Sequence, residues 1–396
     1  MAMNLYITGL IGTLIISSAL YYFSLDNLTL NNYKEFIERY DHKLEEYAVT
    51  TEDGYIINLW HLYPNFKVNP EKVIFLQPGF LSTGICYFGL KEKSMAYFLQ
   101  EKGYDVWIGN NRGSKFSANH VSKNPKDVNG DFWEFSMDNF IQYDIPSEIN
   151  FIKNKTKATK VNYVGSSEGN ALFLMLYMDN PQFVESSINK FISIGTIPNL
   201  STVPYTISEF LDTISRLFKF TEPFNKALKF SDKARTAIIK SVKNNPETSE
   251  KLFQELGTIT NRTKADSIAL FFSYYPTDSS IYHIYQWERI QKEKKFVYYN
   301  PKDEKNDKVK EYDTNVLKNW KIKALMTRSR CDHFSQYDEV TKLYDTIQNK
   351  SLIKLFDIGY SHLDYGMAES AFNDFYIPMV NFLDEKYINF IIKNKF

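Results

Sequence analysis

The feature that most constrains this chain is the pentapeptide 165–169 (GSSEG), which follows the apolar run 161–164 and precedes an apolar helix start. The pattern G-x-S-x-G between a strand and a helix is typical of a nucleophile elbow. Glycine at its first and last positions lets strand and helix approach closely, because no side chain intervenes. We therefore predict that Ser167 stands at the tip of a sharp turn with its hydroxyl exposed. The alternatives are an ordinary strand-to-helix turn and a nucleophile at Ser166.

Two backbone N–H groups are predicted to face the space beside Ser167. The N–H of Glu168 would stand at a helix N-terminus, where free N–H groups favour a developing oxyanion. The second donor is expected from the loop 77–81 (QPGFL), which ends the apolar strand 72–76. In that loop the predicted donor is the N–H of Phe80.

Two later strands are each followed by a side chain that suits acid–base work. The run 322–326 leads to Asp332, and the run 353–356 leads to His362. A neutral imidazole accepts a serine proton near pH 7, and a carboxylate fixes the tautomer of the ring. The order Ser, Asp, His is that of α/β hydrolases. We therefore predict a catalytic set of Ser167, Asp332 and His362.

Other polar residues near these positions are interpreted differently. Asp338 is the competing acid, but it falls near the start of a predicted helix 337–344, where a negative charge favours the helix dipole. We interpret His333 as a surface or packing residue. The side chains of Glu168 and Asp364 are interpreted as structural.

Composition excludes several classes of function. The chain has 396 residues, 43% of them hydrophobic, and its formal net charge is zero. No basic excess points to nucleic acid. Two cysteines, Cys86 and Cys331, and six scattered histidines form no metal-binding spacing, so we predict neither a metal nor a cofactor. The sequence gives no oligomeric state.

The N-terminus carries an uncharged apolar segment, Leu5–Phe23. We interpret residues 1–24 as a signal peptide or a membrane anchor, although Met1–Asn4 has no Lys or Arg. The predicted localisation is the secretory pathway, as a lysosomal, secreted or membrane-anchored protein. Five N-x-S/T sequons support this interpretation: Asn27, Asn154, Asn199, Asn261 and Asn349.

Strands and helices alternate before residue 192 and after residue 321, which predicts a parallel sheet with right-handed crossovers. Several ordered stretches resemble the acid lipases, the family of lysosomal and gastric lipases and related sterol-ester hydrolases. These stretches are 45–57 (EEYAVTTEDGYII), 75–81 (FLQPGFL), 103–113 (GYDVWIGNNRG), 132–135 (FWEF), 143–155 and the elbow.

The resemblance implies an α/β-hydrolase fold with a largely helical cap inserted between two halves of the core. The implied divisions are core at 25–190, cap at 191–320 and core again at 321–396. The sequence departs from the family at Pro78 and Ser166, where the family usually has histidine. Neither position belongs to the predicted catalytic set.

The leading hypothesis is a serine hydrolase that cleaves carboxylic esters of apolar lipids, triacylglycerols or sterol esters, through an acyl-serine intermediate. Its partners would be the lipid ester and a membrane or lipid-droplet surface. One alternative is an esterase for smaller soluble esters. Another, prompted by Pro78 and Ser166, is a catalytically silent lipid-binding protein of the same fold.

Overall fold

A computed structural model describes residues 33–222, 224–300 and 309–386. The apolar segment Leu5–Phe23 lies outside these described residues. Their strands are β1 (Lys43–Thr50), β2 (Ile56–Tyr63), β3 (Val73–Gln77), β4 (Asp105–Ile108), β5 (Val161–Ser166), β6 (Ile188–Ile194), β7 (Ala227–Leu228), β8 (Ser279–Ser280), β9 (Lys323–Arg328) and β10 (Ile353–Asp357).

The α-helices cover both faces of the sheet and fill the segment between β6 and β9. They are α1 (Tyr33–Glu38), α2 (Met95–Glu101), α3 (Met137–Asn139), α4 (Ile145–Thr156), α5 (Glu168–Asp179), α6 (Pro181–Ser187), α7 (Tyr205–Thr221), α8 (Asp232–Asn244), α9 (Pro246–Glu255), α10 (Ala265–Phe272), α11 (Ile281–Glu293), α12 (Tyr337–Thr346), α13 (Asp364–Met367) and α14 (Ile377–Leu383).

The main sheet has eight strands in the order β1-β2-β4-β3-β5-β6-β9-β10. The pairs β1–β2 and β2–β4 are antiparallel, and the remaining pairs are parallel. β1 and β2 form an antiparallel hairpin, whose turn contains Gly54 at φ +90°. β7 and β8 form a separate antiparallel ribbon.

The core lies on both faces of the sheet because side chains alternate along each strand. In β3, Phe75 packs into the cluster on one face, and Ile74 and Leu76 pack into the cluster on the other. Every residue of β3 is buried. Such a strand is a continuous apolar run rather than an alternating one, since helices cover a parallel sheet on both sides.

The parallel strands bring their carboxyl ends to one edge of the sheet. The loops that follow β3, β5, β9 and β10 therefore open on the same side. Ligand sites of open α/β sheets lie at this edge. All five predicted site residues lie in these loops or directly at the helix that follows.

The cap segment, residues 195–322, lies between the neighbouring strands β6 and β9 and contains α7 to α11 with the β7–β8 ribbon. It reaches the core on two sides of the loop edge. On one side the N–H of Thr277 donates to the Leu81 carbonyl (2.8 Å), and on the other the N–H of Leu363 donates to the Thr258 carbonyl (2.9 Å). The domain boundaries placed at residues 191 and 320 remain a prediction.

Candidate active site

Ser167 forms the turn between β5 and α5 in an uncommon backbone conformation. Its dihedral angles are φ 53° and ψ −117°. A residue other than glycine in such a conformation costs on the order of 1–3 kcal/mol, so the surrounding structure must hold it. The N–H of Ser167 donates to the carbonyl of Ile194 at the end of β6 (2.8 Å). The predicted nucleophile elbow is thus present, with the serine half-buried at its tip.

The two glycines of the pentapeptide sit where chain segments cross. A β-carbon on Gly165 would lie 2.6 Å from the backbone nitrogen of Asn170. One on Gly169 would lie 2.3 Å from the carbonyl oxygen of Gln77. Real β-carbons do not approach so closely, so a side chain at Gly165 would push α5 away from β5, and one at Gly169 would push it away from the end of β3.

His362 links Ser167 to Asp332. Its Nε2 lies 2.7 Å from the Oγ of Ser167, and its Nδ1 lies 2.9 Å from Oδ2 of Asp332. We assign the proton to Nδ1, because the carboxylate can only accept there. Nε2 is then free to accept the serine proton. The structure therefore brings together the three side chains that the sequence predicted as a set.

The carboxylate of Asp332 is buried and fixed by its own loop. It is 3% exposed, and its Oδ1 accepts hydrogen bonds from the N–H groups of Phe334 (2.9 Å) and Ser335 (2.8 Å). These bonds hold the carboxylate with Oδ2 facing the imidazole. Asp338 lies outside this network, in the first turn of α12, as expected of a helix-dipole acid.

The predicted oxyanion residues come from two different elements. Glu168 is the first residue of α5, and Phe80 lies in the loop after β3. That loop passes close to the nucleophile, since a β-carbon on Gly79 would lie 3.0 Å from Cβ of Ser167. The substitution at Pro78 leaves these two backbone N–H groups intact.

Asp364 holds the histidine loop in place. It is fully buried and accepts hydrogen bonds from Ser361, Thr260 and Thr263. These contacts agree with the structural role that the sequence analysis predicts for this side chain. His333 is exposed and packs against Gly257, where a β-carbon would overlap its ring.

Sequence reasoning missed the polar contacts that surround the elbow. Asn170 donates to the carbonyls of Ile194 and Gly195 (2.9 Å each) and accepts from the N–H of Ile197 (2.7 Å), which fixes the loop after β6. Glu168 accepts hydrogen bonds from the cap segment. No local pattern marks such contacts, because their partners lie far apart along the chain.

A second buried acid lies below the oxyanion loop. Burial, and then the charge of Asp144, raise the pKa of Glu148 well above its ordinary value. Its Oε1 and the Oε1 of Gln77 are both buried without a hydrogen-bond partner, and they lie 3.2 and 2.8 Å from the position that a β-carbon on Gly109 would take.

Neither cysteine of the chain is expected to act as the nucleophile in place of Ser167. Burial raises the pKa of the Cys86 thiol to about 12, so it is not a thiolate at neutral pH. Cys86 and Cys331 are both free. Across the described ranges no group of three His, Cys, Asp or Glu side chains is arranged to hold a metal ion.

The fold and the hydrogen-bonded Ser–His–Asp chain define one class of protein. A mostly parallel sheet with a serine at the elbow, followed in sequence by the acid and then the histidine, is the arrangement of α/β hydrolases. Residues 72–357 match the family model described as alpha/beta hydrolase fold, and residues 33–89 match a partial alpha/beta-hydrolase lipase region. The chain belongs to the α/β hydrolase fold family.

Within that fold family the chain groups with the acid lipases, as its motifs predicted. It is 28% identical to gastric triacylglycerol lipase of Rattus norvegicus over 374 residues, which cover 89% of this chain and 92% of that protein. It is 26% identical to lipase member K of Homo sapiens over 374 residues, which cover 89% of this chain and 91% of that protein.

Solved structures share the fold at low sequence identity. A putative lipase from Sulfolobus solfataricus aligns with a TM-score of 0.53 and 13% identity, covering 87% of this chain and 99% of that one. An esterase from Exiguobacterium antarcticum aligns with a TM-score of 0.51 and 12% identity, covering 86% and 100%. These likenesses show the fold alone.

Proposed function

We propose that the protein is a serine hydrolase that cleaves carboxylic esters of apolar lipids, such as triacylglycerols or sterol esters. The observation that carries this proposal is the continuous hydrogen-bonded chain Ser167–His362–Asp332, at 2.7 and 2.9 Å. The sequence similarity of the protein to a gastric triacylglycerol lipase supports a lipid ester as the substrate class.

In the proposed first half-reaction, the Oγ of Ser167 attacks the ester carbonyl carbon while its proton passes to Nε2 of His362. The carbonyl oxygen becomes an oxyanion, which accepts hydrogen bonds from the N–H groups of Phe80 and Glu168. The bond to the alcohol oxygen then breaks, and His362 returns the proton to that oxygen. The alcohol leaves, and the acyl group remains on the serine.

In the second half-reaction, water attacks the acyl carbon and loses a proton to Nε2 of His362. The tetrahedral intermediate collapses, the acid leaves, and the proton returns to Ser167. Asp332 stays ionised throughout and stabilises the imidazolium through Nδ1–H. No cofactor takes part in either half-reaction.

The test combines labelling and turnover. A fluorophosphonate should label one serine per chain, and Ser167→Ala should abolish the labelling. Purified protein should hydrolyse long-chain triacylglycerol or sterol-ester emulsions faster than a short soluble ester. Labelling with a preference for short esters would identify a soluble-ester esterase. The absence of both labelling and turnover would identify a lipid-binding protein without activity.

We also propose that the enzyme works at a membrane or lipid-droplet surface. Phe220 and Phe224, at the end of α7 in the cap segment, are 83% and 79% exposed. Moving one such side chain from water into lipid contributes on the order of 2 kcal/mol. The double variant Phe220→Ser/Phe224→Ser should bind phosphatidylcholine vesicles more weakly than wild type and keep its activity on soluble esters. Equal vesicle binding by both proteins would contradict the proposal.

Entry into the secretory pathway remains part of the proposal. Within the described ranges no helix is long and apolar enough to cross a membrane. Asn261 and Asn349 are exposed, as glycan acceptors must be. Full-length protein made in a eukaryotic cell should show a mass that falls on glycosidase treatment. An unglycosylated cytosolic product would contradict this assignment.

A further inference from the structure

One imidazole from the cap segment contacts both Glu168 and Phe80, the two residues assigned to the oxyanion site. Nε2 of His283, in α11, lies 2.6 Å from Oε2 of Glu168. The ring of Phe80 packs edge-to-face on the same imidazole, with centroids 5.2 Å apart. Glu168 and Phe80 are the two residues whose N–H groups we assign to the oxyanion. Both proposed donors are therefore anchored to a single side chain of the cap segment.

The contacts on this imidazole fix its orientation. His283 is 2% exposed, and its Nδ1 lies 2.9 Å from Oγ of Ser279. Phe140 packs edge-to-face on the ring from the core side, at 5.1 Å. An imidazole bonded at both nitrogens and packed by two rings has no freedom to turn.

Glu168 is held by a second donor of the same helix. The indole N–H of Trp287 donates to the same Oε2, at 2.6 Å. Positions 283 and 287 are one turn apart, so they present both donors on one face of α11. Glu168 is fully buried, and its Oε1 has no partner. The carboxylate thus binds the elbow to α11 through two charge-assisted hydrogen bonds.

These contacts bear on catalysis because Glu168 has two roles: its side chain bonds to α11, and its backbone N–H is a proposed oxyanion donor. Its N–H belongs to the turn in which Ser167 is held at φ 53°. Fixing the side chain restrains that turn against relaxation. Donors of an oxyanion site are effective only when held at hydrogen-bond distance in advance.

We propose that Glu168, His283 and Trp287 are positioning residues, through which the seating of the cap segment sets the geometry of the oxyanion donors. None of their side chains needs to touch the ester. The inference rests on the proposed function, since it assigns a purpose to contacts around that site.

The test compares variants that remove or keep the anchor. Glu168→Leu removes the carboxylate oxygen that accepts from His283 and Trp287. Glu168→Gln keeps an amide oxygen that can accept from both. We expect Glu168→Leu to lower kcat by about 30- to 100-fold with KM within threefold, and Glu168→Gln to stay within about fivefold of wild type. An alkylboronic acid, whose adduct with Ser167 places an oxygen among the donors, should lose affinity in proportion to kcat.

A milder variant covers the case in which Glu168→Leu does not fold. Trp287→Phe keeps an aromatic ring and removes the indole N–H. It should lower kcat and boronic acid affinity by about three- to tenfold, with KM unchanged. Unchanged values in a folded Trp287→Phe or Glu168→Leu protein would overturn the inference.

Ser280→Ala provides the matched control beside α11. The Ser280 hydroxyl donates to the carbonyl of Trp133 at 2.5 Å and accepts from the N–H of Tyr282 at the start of α11 (3.1 Å). Its loss therefore loosens the cap segment and the first turn of α11 while the hydrogen bonds of Glu168 to His283 and Trp287 remain. This variant should lose thermal stability and keep kcat within threefold. A parallel loss of kcat in Ser280→Ala would mean general loosening of the cap segment and would overturn the inference. An inactive wild type would instead overturn the proposed function, and this inference with it.

Discussion

Gly195 lies against His362 so closely that a β-carbon on the glycine would stand 3.0 Å from Cε1 of the imidazole. Gly195 also has φ +58°, a conformation that other residues adopt only with strain. We expect Gly195→Ala to displace the ring and lower kcat by about 10- to 100-fold, with a loss of about 1–2 kcal/mol in the free energy of unfolding.

Gly103→Ala separates these two effects. Gly103 has φ +82°, and a β-carbon added there would meet no atom within 4 Å. This variant should lose stability to a similar extent and keep its kcat. The comparison requires kcat and the free energy of unfolding in urea for both variants. An equal loss of kcat in the two would show that contact of the new β-carbon with His362 is not the cause.

Ser167→Ala should abolish ester hydrolysis and leave the fold intact. Loss of a triad nucleophile lowers kcat by on the order of a million-fold, and the half-buried hydroxyl adds little to the core. Ser166→Ala, one residue earlier, should remain active. The reverse result would show that the nucleophile has been assigned to the wrong serine.

Ser167→Gly should be inactive but more stable than Ser167→Ala, by about 1 kcal/mol. Both lack the nucleophile, and only glycine relieves the backbone strain at φ 53°. Denaturant unfolding of the two variants measures this difference directly. Equal stability would mean that the elbow stores no strain at this residue.

Asp332→Asn should lower kcat by about ten-thousand-fold, because an amide NH₂ facing Nδ1 favours the wrong tautomer of His362. Asp338→Asn should cost less than about tenfold, since its carboxylate lies in the first turn of α12, outside the Ser–His–Asp chain. Kinetics of the two variants on one ester test the assignment. A crippled Asp338→Asn beside an active Asp332→Asn would refute it.

Glu148→Gln should stabilise the protein at pH 8. Because burial, and then Asp144, raise the pKa of Glu148, the folded state binds the proton more tightly than the unfolded chain. The stability that Glu148 contributes is full below its ordinary pKa of 4.5 and is lost as the pH rises through its folded pKa. The uncharged amide also offers a donor near Gln77.

We expect a gain of about 1–2 kcal/mol in the free energy of unfolding at pH 8 and a smaller gain at pH 4. Urea titrations of the variant and wild type at both pH values measure the difference. A variant that is no more stable than wild type at pH 8 would show that the buried carboxyl does not destabilise the folded state at that pH.

The sheet and the site could be predicted because their signals are local. Apolar runs and the glycines of 165–169 mark the strands and the elbow. Asp332 and His362 could be found because each follows a recognisable strand, and parallel strands end at one edge. Asp332 was separated from Asp338 by the same reasoning, since a predicted helix begins just before Asp338.

The supporting contacts could not be predicted. Glu168 meets His283 and Trp287 only after the cap segment folds back over the elbow, and no periodicity reports which face of α11 turns inward there. The burial of Glu148 is also invisible in sequence, because an acid in an amphipathic helix is normally expected to face solvent. Both depend on contacts between residues distant along the chain.

The insertion of the cap segment between β6 and β9 also sets the order in which this site comes into being during synthesis. Ser193 pairs with Met326 across two adjacent strands, with the whole cap segment made in between. Closing so long a loop is slow and entropically costly. The nascent chain therefore carries its serine long before its acid and its base exist. A chain truncated within the cap segment would contain Ser167 without Asp332 and His362, and so would lack two of the three side chains of the site.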